Sequence, residues 1–256
     1  MTRALPRVHL NSSSLVRFLT ENALLDAAQP QEDVGHKLGD WLNFRQAIQL
    51  QSALQLGPDS AGPLPPHLER AACIEPVALA RHVDKVRAQL TESIVQGAPA
   101  GSGLVRIQMP MAELIEPIDT TTAWAPYRRF HAAHQRQMEN SVRAVRAIVR
   151  VQLIKRGGPL QQLANLDATF ENLLSEREAW LLSQVTKLLE KSFKQSLQAH
   201  LQQQAQNPDA APPDPLLWLM PWRQAMRSAL LAELDTRLQP TLGLLEALTC
   251  ESPQPS

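Results

Sequence analysis

The chain has 256 residues, enough for one large domain or two smaller ones, and sets 25 Lys and Arg against 25 Asp and Glu. The balance argues against a globally basic nucleic-acid binder. Aromatics at 4% and only 10 glycines argue against a β-sandwich or barrel, which needs β-branched and aromatic runs cut by Gly turns.

Leu, Ala and Gln fill the long stretches between prolines, which predicts an all-α protein packed through aliphatic seams. Cys73 and Cys250 are far apart and neither has a CxxC neighbour, so neither a disulfide framework nor a cysteine zinc site is expected. A reducing cytoplasm fits that usage. No apolar h-region follows Met1–Arg7, and the run Leu216–Met220 is far too short to span a bilayer. A soluble protein is expected.

Twenty prolines punctuate the chain, and each would cost ~3 kcal/mol in a helix interior, so the Pro-poor stretches read as helices. After a disordered N-terminus (1–11), Ser12–Ser14 offer N-caps for a segment carrying Leu15, Phe18, Leu19 and Leu25. A second segment from Glu32 carries Val34, Leu38, Trp41, Leu42 and Ile48, so 12–56 reads as a small helical hairpin of its own. A Pro-rich linker (57–75) precedes a helix over 76–96, with Leu79, Val83, Val86, Leu90 and Ile94 at steps of three and four. Residues 97–124 read as an irregular linker in which Leu104–Ile107 could form a short strand without a partner.

The strongest pattern covers 125–206. Tyr127, Phe130, Met138, Val142, Val145 and Val149 share one helical face. Gly157-Gly158-Pro159 then supplies a left-handed cap and an N1 proline, so the chain should reverse there. The returning arm carries Leu163, Phe170, Leu174, Leu181, Val185 and Leu188. Unbroken, 159–206 would extend ~70 Å, against a radius of gyration of ~18 Å for a compact chain of this length. These lengths predict an elongated antiparallel coiled-coil helical hairpin. A Pro-rich linker (207–215) leads to a C-terminal helix (216–249) that packs back and is kinked near Pro240, followed by a tail (250–256).

Arg129, Arg136, Arg143 and Arg150 recur every seven residues, and residues 125–156 hold eight basic residues against one acid, Glu139. At ~100° per residue this stripe lies nearly opposite the apolar face, so it should not pair easily with the other arm. An acidic helix, a nucleic-acid backbone or an anionic lipid surface would complement it. The alternative is a solvated back face, and no aromatics that would stack bases are interleaved with the stripe. Glu171 and Glu178 on the second arm flank the seam, where they could meet basic groups such as Arg146.

His131 and His134 stand three apart without a Glu-x-x-His set on a facing helix, so seam or surface histidine reads better than metal ligand. No Gly-x-Ser-x-Gly elbow, phosphate loop or activated cysteine is present. No catalytic residue, metal ligand or cofactor is expected. Trp218, Trp222 and Met220 form an apolar group that could dock on a partner or membrane interface, or anchor the last helix to its own core.

The blocks Trp222–Met226, Leu230–Asp235, Arg237–Pro240 and Gly243–Leu248 resemble an uncharacterised bacterial family, the domain of unknown function 3348. So do Pro126–Arg129, His134–Glu139, Leu166-Asp167, Glu176–Glu178, Ser14–Leu19 and Leu38–Leu42. The likeness covers nearly the whole chain, with 57–75 and 97–124 variable. It implies no activity and no catalytic residues. It does imply a cytoplasmic accessory of an envelope complex, peripheral to the inner membrane, whose partners are similar to motor-stator proteins and OmpA-type peptidoglycan binders. The expected function is a non-enzymatic scaffold or adaptor making protein–protein contacts, self-association included, through the hairpin. Nucleic-acid or anionic-surface binding through the arginine stripe is the alternative.

Overall fold

A computed structural model describes Leu15 and residues 44–55, 72–111, 118–206 and 217–250. Among these residues every regular element is a helix. They are α1 (Phe44–Gln55), α2 (Pro76–Val95), α3 (Thr120–Arg156), α4 (Gly158–Gln206) and α5 (Met220–Cys250), with a 3-10 turn at Leu217–Leu219 before α5. Most of the expected N-terminal hairpin, the linker 207–215, and the termini 1–11 and 251–256 lie outside the described residues.

The hairpin is built by α3 and α4, of 37 and 49 residues, roughly 55 and 73 Å long. Gly157 (φ 71°, ψ −167°) and Gly158 (φ 52°) reverse the chain in backbone regions that other residues enter at a cost. Arg150 meets Asp167, Arg146 meets Glu171, His131 meets Thr186 and Trp124 meets Phe193. Each pair is equidistant from the turn, so the two arms keep one register from tip to base.

Two further helices complete a four-helix bundle. Gln137 to Ser93, and Gln152 to Ala72 and Ile74, set α2 antiparallel to α3. Contacts of Tyr127 with Trp222 and Gln135 with Glu233 set α5 parallel to α3. Helix α1 packs on α4, where Gln46 Nε2 donates to the Leu173 carbonyl at 3.3 Å. The core has an aromatic end around Trp124, Tyr127, Phe193 and Trp222. Its aliphatic end, near the turn, holds Val145, Val149, Leu153, Leu160, Leu244 and Leu248. Leu15 packs against the first of these.

The apolar face expected of α3 is buried throughout, as are Leu79, Val83, Leu90 and Ile94 of α2. The face of α4 is offset from expectation. Leu182, Val185, Leu189, Phe193 and Leu197 are buried, whereas Leu181 is 42% exposed. Leu181 and Leu182 stand side by side there, both three or four residues from Val185, and the packing buries Leu182. Pro240 lies inside α5 without ending it. Burial of Leu238, Thr241 and Leu244 on either side holds the helix through the proline.

Helix α3 begins at Thr120, ahead of the expected Ala125-Pro126. The Asp119 carboxylate accepts from Thr121 N at 3.2 Å and Thr122 N at 2.9 Å, so a side-chain cap fixes the start upstream of the proline. Leu104–Ile107 forms no strand. It lies in an extended strap along the bundle, with Val105 N donating to Gln137 Oε1 at 3.0 Å and Leu104, Ile107 and Met109 packed on the core.

Candidate interaction surface

The seam that closes the bundle decides which arginines remain outside. Three sides of α3 are taken by α2, α4 and α5. Arg128, Arg129, Arg136 and Arg143 occupy the remaining side and are exposed. Arg143 reaches back to Glu139, the single acid of this helix, at 2.5 Å, and Arg136 Nε donates to the Ala132 carbonyl at 3.3 Å. Ala144 and Ala147, just beyond Arg143, are also exposed.

Arg150 corrects the expected four-residue stripe. Its Nε donates to Asp167 Oδ2 at 2.6 Å and a terminal nitrogen donates to Glu171, and the side chain is only 14% exposed. Arg146 makes the same kind of bridge, to Asp167 Oδ1 at 2.6 Å and Glu171 at 3.8 Å. The seven-residue repeat drifts ~20° per step around a straight helix, and by the fourth position the guanidinium reaches the opposite arm. These are largely desolvated bridges that pin the register, and they include the Arg146–Glu171 meeting expected from the sequence. Glu178 pairs with Arg237 of α5 at 3.0 Å instead of with the first arm.

Trp222 is withdrawn from any outer surface. It is 3% exposed, T-shaped against Trp124, Tyr127 and Phe193, and donates through Nε1 to the Leu189 carbonyl at 3.2 Å. Trp218 is half-buried and stacks on His200 with centroids 4.9 Å apart. Both residues anchor α5 to its own bundle.

A polar layer crosses the middle of the bundle. Glu233, fully enclosed, accepts from Gln135 Nε2 at 3.0 Å and from Arg237 at 2.9 Å. Burial pushes its carboxyl up from the usual range, with Arg237 and Gln135 pulling the other way. His131 and His134 are buried beside this layer, and burial lowers both to about 4, so they are neutral at physiological pH. His131 Nδ1 lies 3.3 Å from Thr186 Oγ1, and Phe130 sits edge-on to His134. Among the described residues no three His, Cys, Asp or Glu side chains are placed to hold a metal ion. This layer has no local signature, because Gln135 and Glu233 each read as ordinary helix-surface residues. Gln152 was likewise missed, although its amide holds the chain before α2 through Ala72 O and Ile74 N.

A helical bundle with a long hairpin, a sealed polar layer and one basic outer flank defines the class of protein. Residues 1–250 match the model of a family described as "Protein of unknown function (DUF3348)", and the chain belongs to that family. No curated protein matches the chain, and no solved structure does. Among the described residues no helix is long and apolar enough to cross a membrane.

Proposed function

We propose that this chain is a non-enzymatic scaffold whose outer α3 flank, carrying Arg129, Arg136 and Arg143, binds an acidic helical surface of a partner protein. The observation that carries the reading is the division of arginines on one helix. Arg146 and Arg150 are held inward by Asp167 and Glu171, while Arg129, Arg136 and Arg143 are exposed on the opposite flank. A partner presenting carboxylates at helical spacing would meet those three without removing any group from the bundle's core. A cytoplasmic accessory to an envelope complex, as the family resemblance implies, would supply such a partner.

The test is a crosslinking co-purification from native cells with the crosslinked peptides mapped. Acidic partner segments joined to the α3 flank support the proposal. A chain that stays monomeric, or whose crosslinks map elsewhere, contradicts it. The same exposed arginines also support a second reading, binding to nucleic acid or an anionic membrane. Salt titrations with DNA, RNA and anionic liposomes separate the two, since phosphate binding must weaken steeply as salt rises. Affinity indifferent to salt, or unaffected by Gln at all three arginines, removes that second reading.

A further inference from the structure

A cleft of about 140 Å³ opens at the C-terminal end of α2, between that helix, the strap and α5. Its charged lining consists of Arg106 from the strap and Arg227 from α5, and no Asp or Glu lines it. Phe130, Ile94, Ile107 and Met109 supply apolar walls. Among the described residues, neither guanidinium has a carboxylate partner. Arg227 is half-buried, and its Nε is enclosed without a hydrogen-bond acceptor. An unpaired, partly desolvated cation is costly in a folded protein. Elsewhere in this bundle the half-buried arginines have acceptors: Arg146 and Arg150 reach Asp167 and Glu171, Arg237 reaches Glu233, and Arg223 reaches the Pro110 carbonyl.

The N–H donors at the α2 end are already spent, so an incoming acceptor would meet the two guanidiniums. The N–H groups of Gln96 and Gly97 are both taken by the Glu92 carbonyl, and the Ser93 hydroxyl is bonded by Gln137. The cleft therefore presents two cationic forks over an apolar wall, a combination that suits an oxyanion head carrying a short apolar body. We infer that this cleft binds a small ligand with a phosphate or carboxylate head, held between Arg106 and Arg227. The site is independent of the α3 flank and does not rest on the scaffold reading.

The experiment is thermal unfolding of the full-length protein in methyl phosphate, in butyrate and in chloride at matched ionic strength. A rise in Tm of roughly 2–4 °C or more is expected in one of the two oxyanions, and the arm that responds identifies the head group. Arg227→Gln and Arg106→Gln should each abolish the rise, while Arg129→Gln on the outer flank should keep it. Arg106 is exposed, so its substitution reads out binding even where Arg227→Gln disturbs folding. Equal Tm in all three salts, or a rise that persists in Arg106→Gln, overturns the inference and leaves the two arginines as companions of the α2 carbonyl end.

Discussion

Arg150 Nε donates to Asp167 Oδ2 at 2.6 Å across the hairpin, with the two side chains 14% and 10% exposed. Asp167 also takes Arg146, so one carboxylate serves two guanidiniums. Asp167→Ala should therefore destabilise the chain by about 3 kcal/mol, because both cations stay desolvated without it. Replacing Arg150 and Asp167 together with Met and Leu should recover much of that loss. Urea unfolding of the two singles and the double provides the check. Additive losses would show that the bridge does not couple the arms.

The turn makes a finer prediction. Gly157 combines a positive φ with an extended ψ, a region almost confined to glycine, and Gly158 has a positive φ of 52°. Gly157→Ala should cost about 1–3 kcal/mol, and Gly158→Asn about 1 kcal/mol or less. Equal effects at the two positions in denaturant melts would contradict the geometry described for the reversal.

Acidification should unlock the polar layer. His131 and His134 are lowered to about 4 by burial, against an unfolded value near ~6.5. The unfolded chain thus takes up protons first as pH falls, so stability is full above about 6.5 and is lost progressively towards 4. The loss is roughly 3 kcal/mol per histidine. Glu233 works in the opposite sense, since its raised carboxyl adds stability below the ordinary carboxylate range and loses it as pH rises. Unfolding free energies of His131→Gln/His134→Gln between pH 7 and 4.5 should show a much flatter slope than the parent.

Tryptophans separate the buried end from the surface. Trp222→Ala removes the ring at the centre of the aromatic cluster and should cost about 3–5 kcal/mol. Trp180 is 53% exposed with Arg177 over its ring, and Trp180→Ala should stay within about 1 kcal/mol of the parent. Similar melting temperatures for the two variants would place Trp222 outside the core.

What was legible in the sequence follows from what is local. The three-and-four spacing of Tyr127 to Val149 and the Gly157-Gly158-Pro159 punctuation belong to single helices and their ends, and both were readable. On α4, spacing alone does not choose between Leu181 and Leu182, since both lead through Val185 and Leu189 to Phe193, and only the tertiary packing buries Leu182. The helix start was misplaced because Pro126 resembles an N1 proline, while the Asp119-Thr120-Thr121-Thr122 cap lies in a β-branched run with poor helix propensity. Of the tertiary chemistry, the Arg146–Glu171 meeting was legible from the opposite charges of the two arms, and the rest left no local trace. Arg129 and Arg150 occupy equivalent repeat positions, yet only the second meets a carboxylate, because Asp167 happens to sit opposite it. Glu233, an ordinary helix glutamate by its neighbours, is enclosed only once α3 and α5 lie side by side.

The separation of inner from outer arginines on α3 carries the proposed function. Arg129→Gln/Arg136→Gln/Arg143→Gln, measured for unfolding free energy and for crosslinking yield in the same preparation, tests it most directly. Stability should stay within about 1 kcal/mol of the parent while acidic partner peptides vanish from the flank. An undiminished yield, or a variant that unfolds as readily as Asp167→Ala, would contradict it.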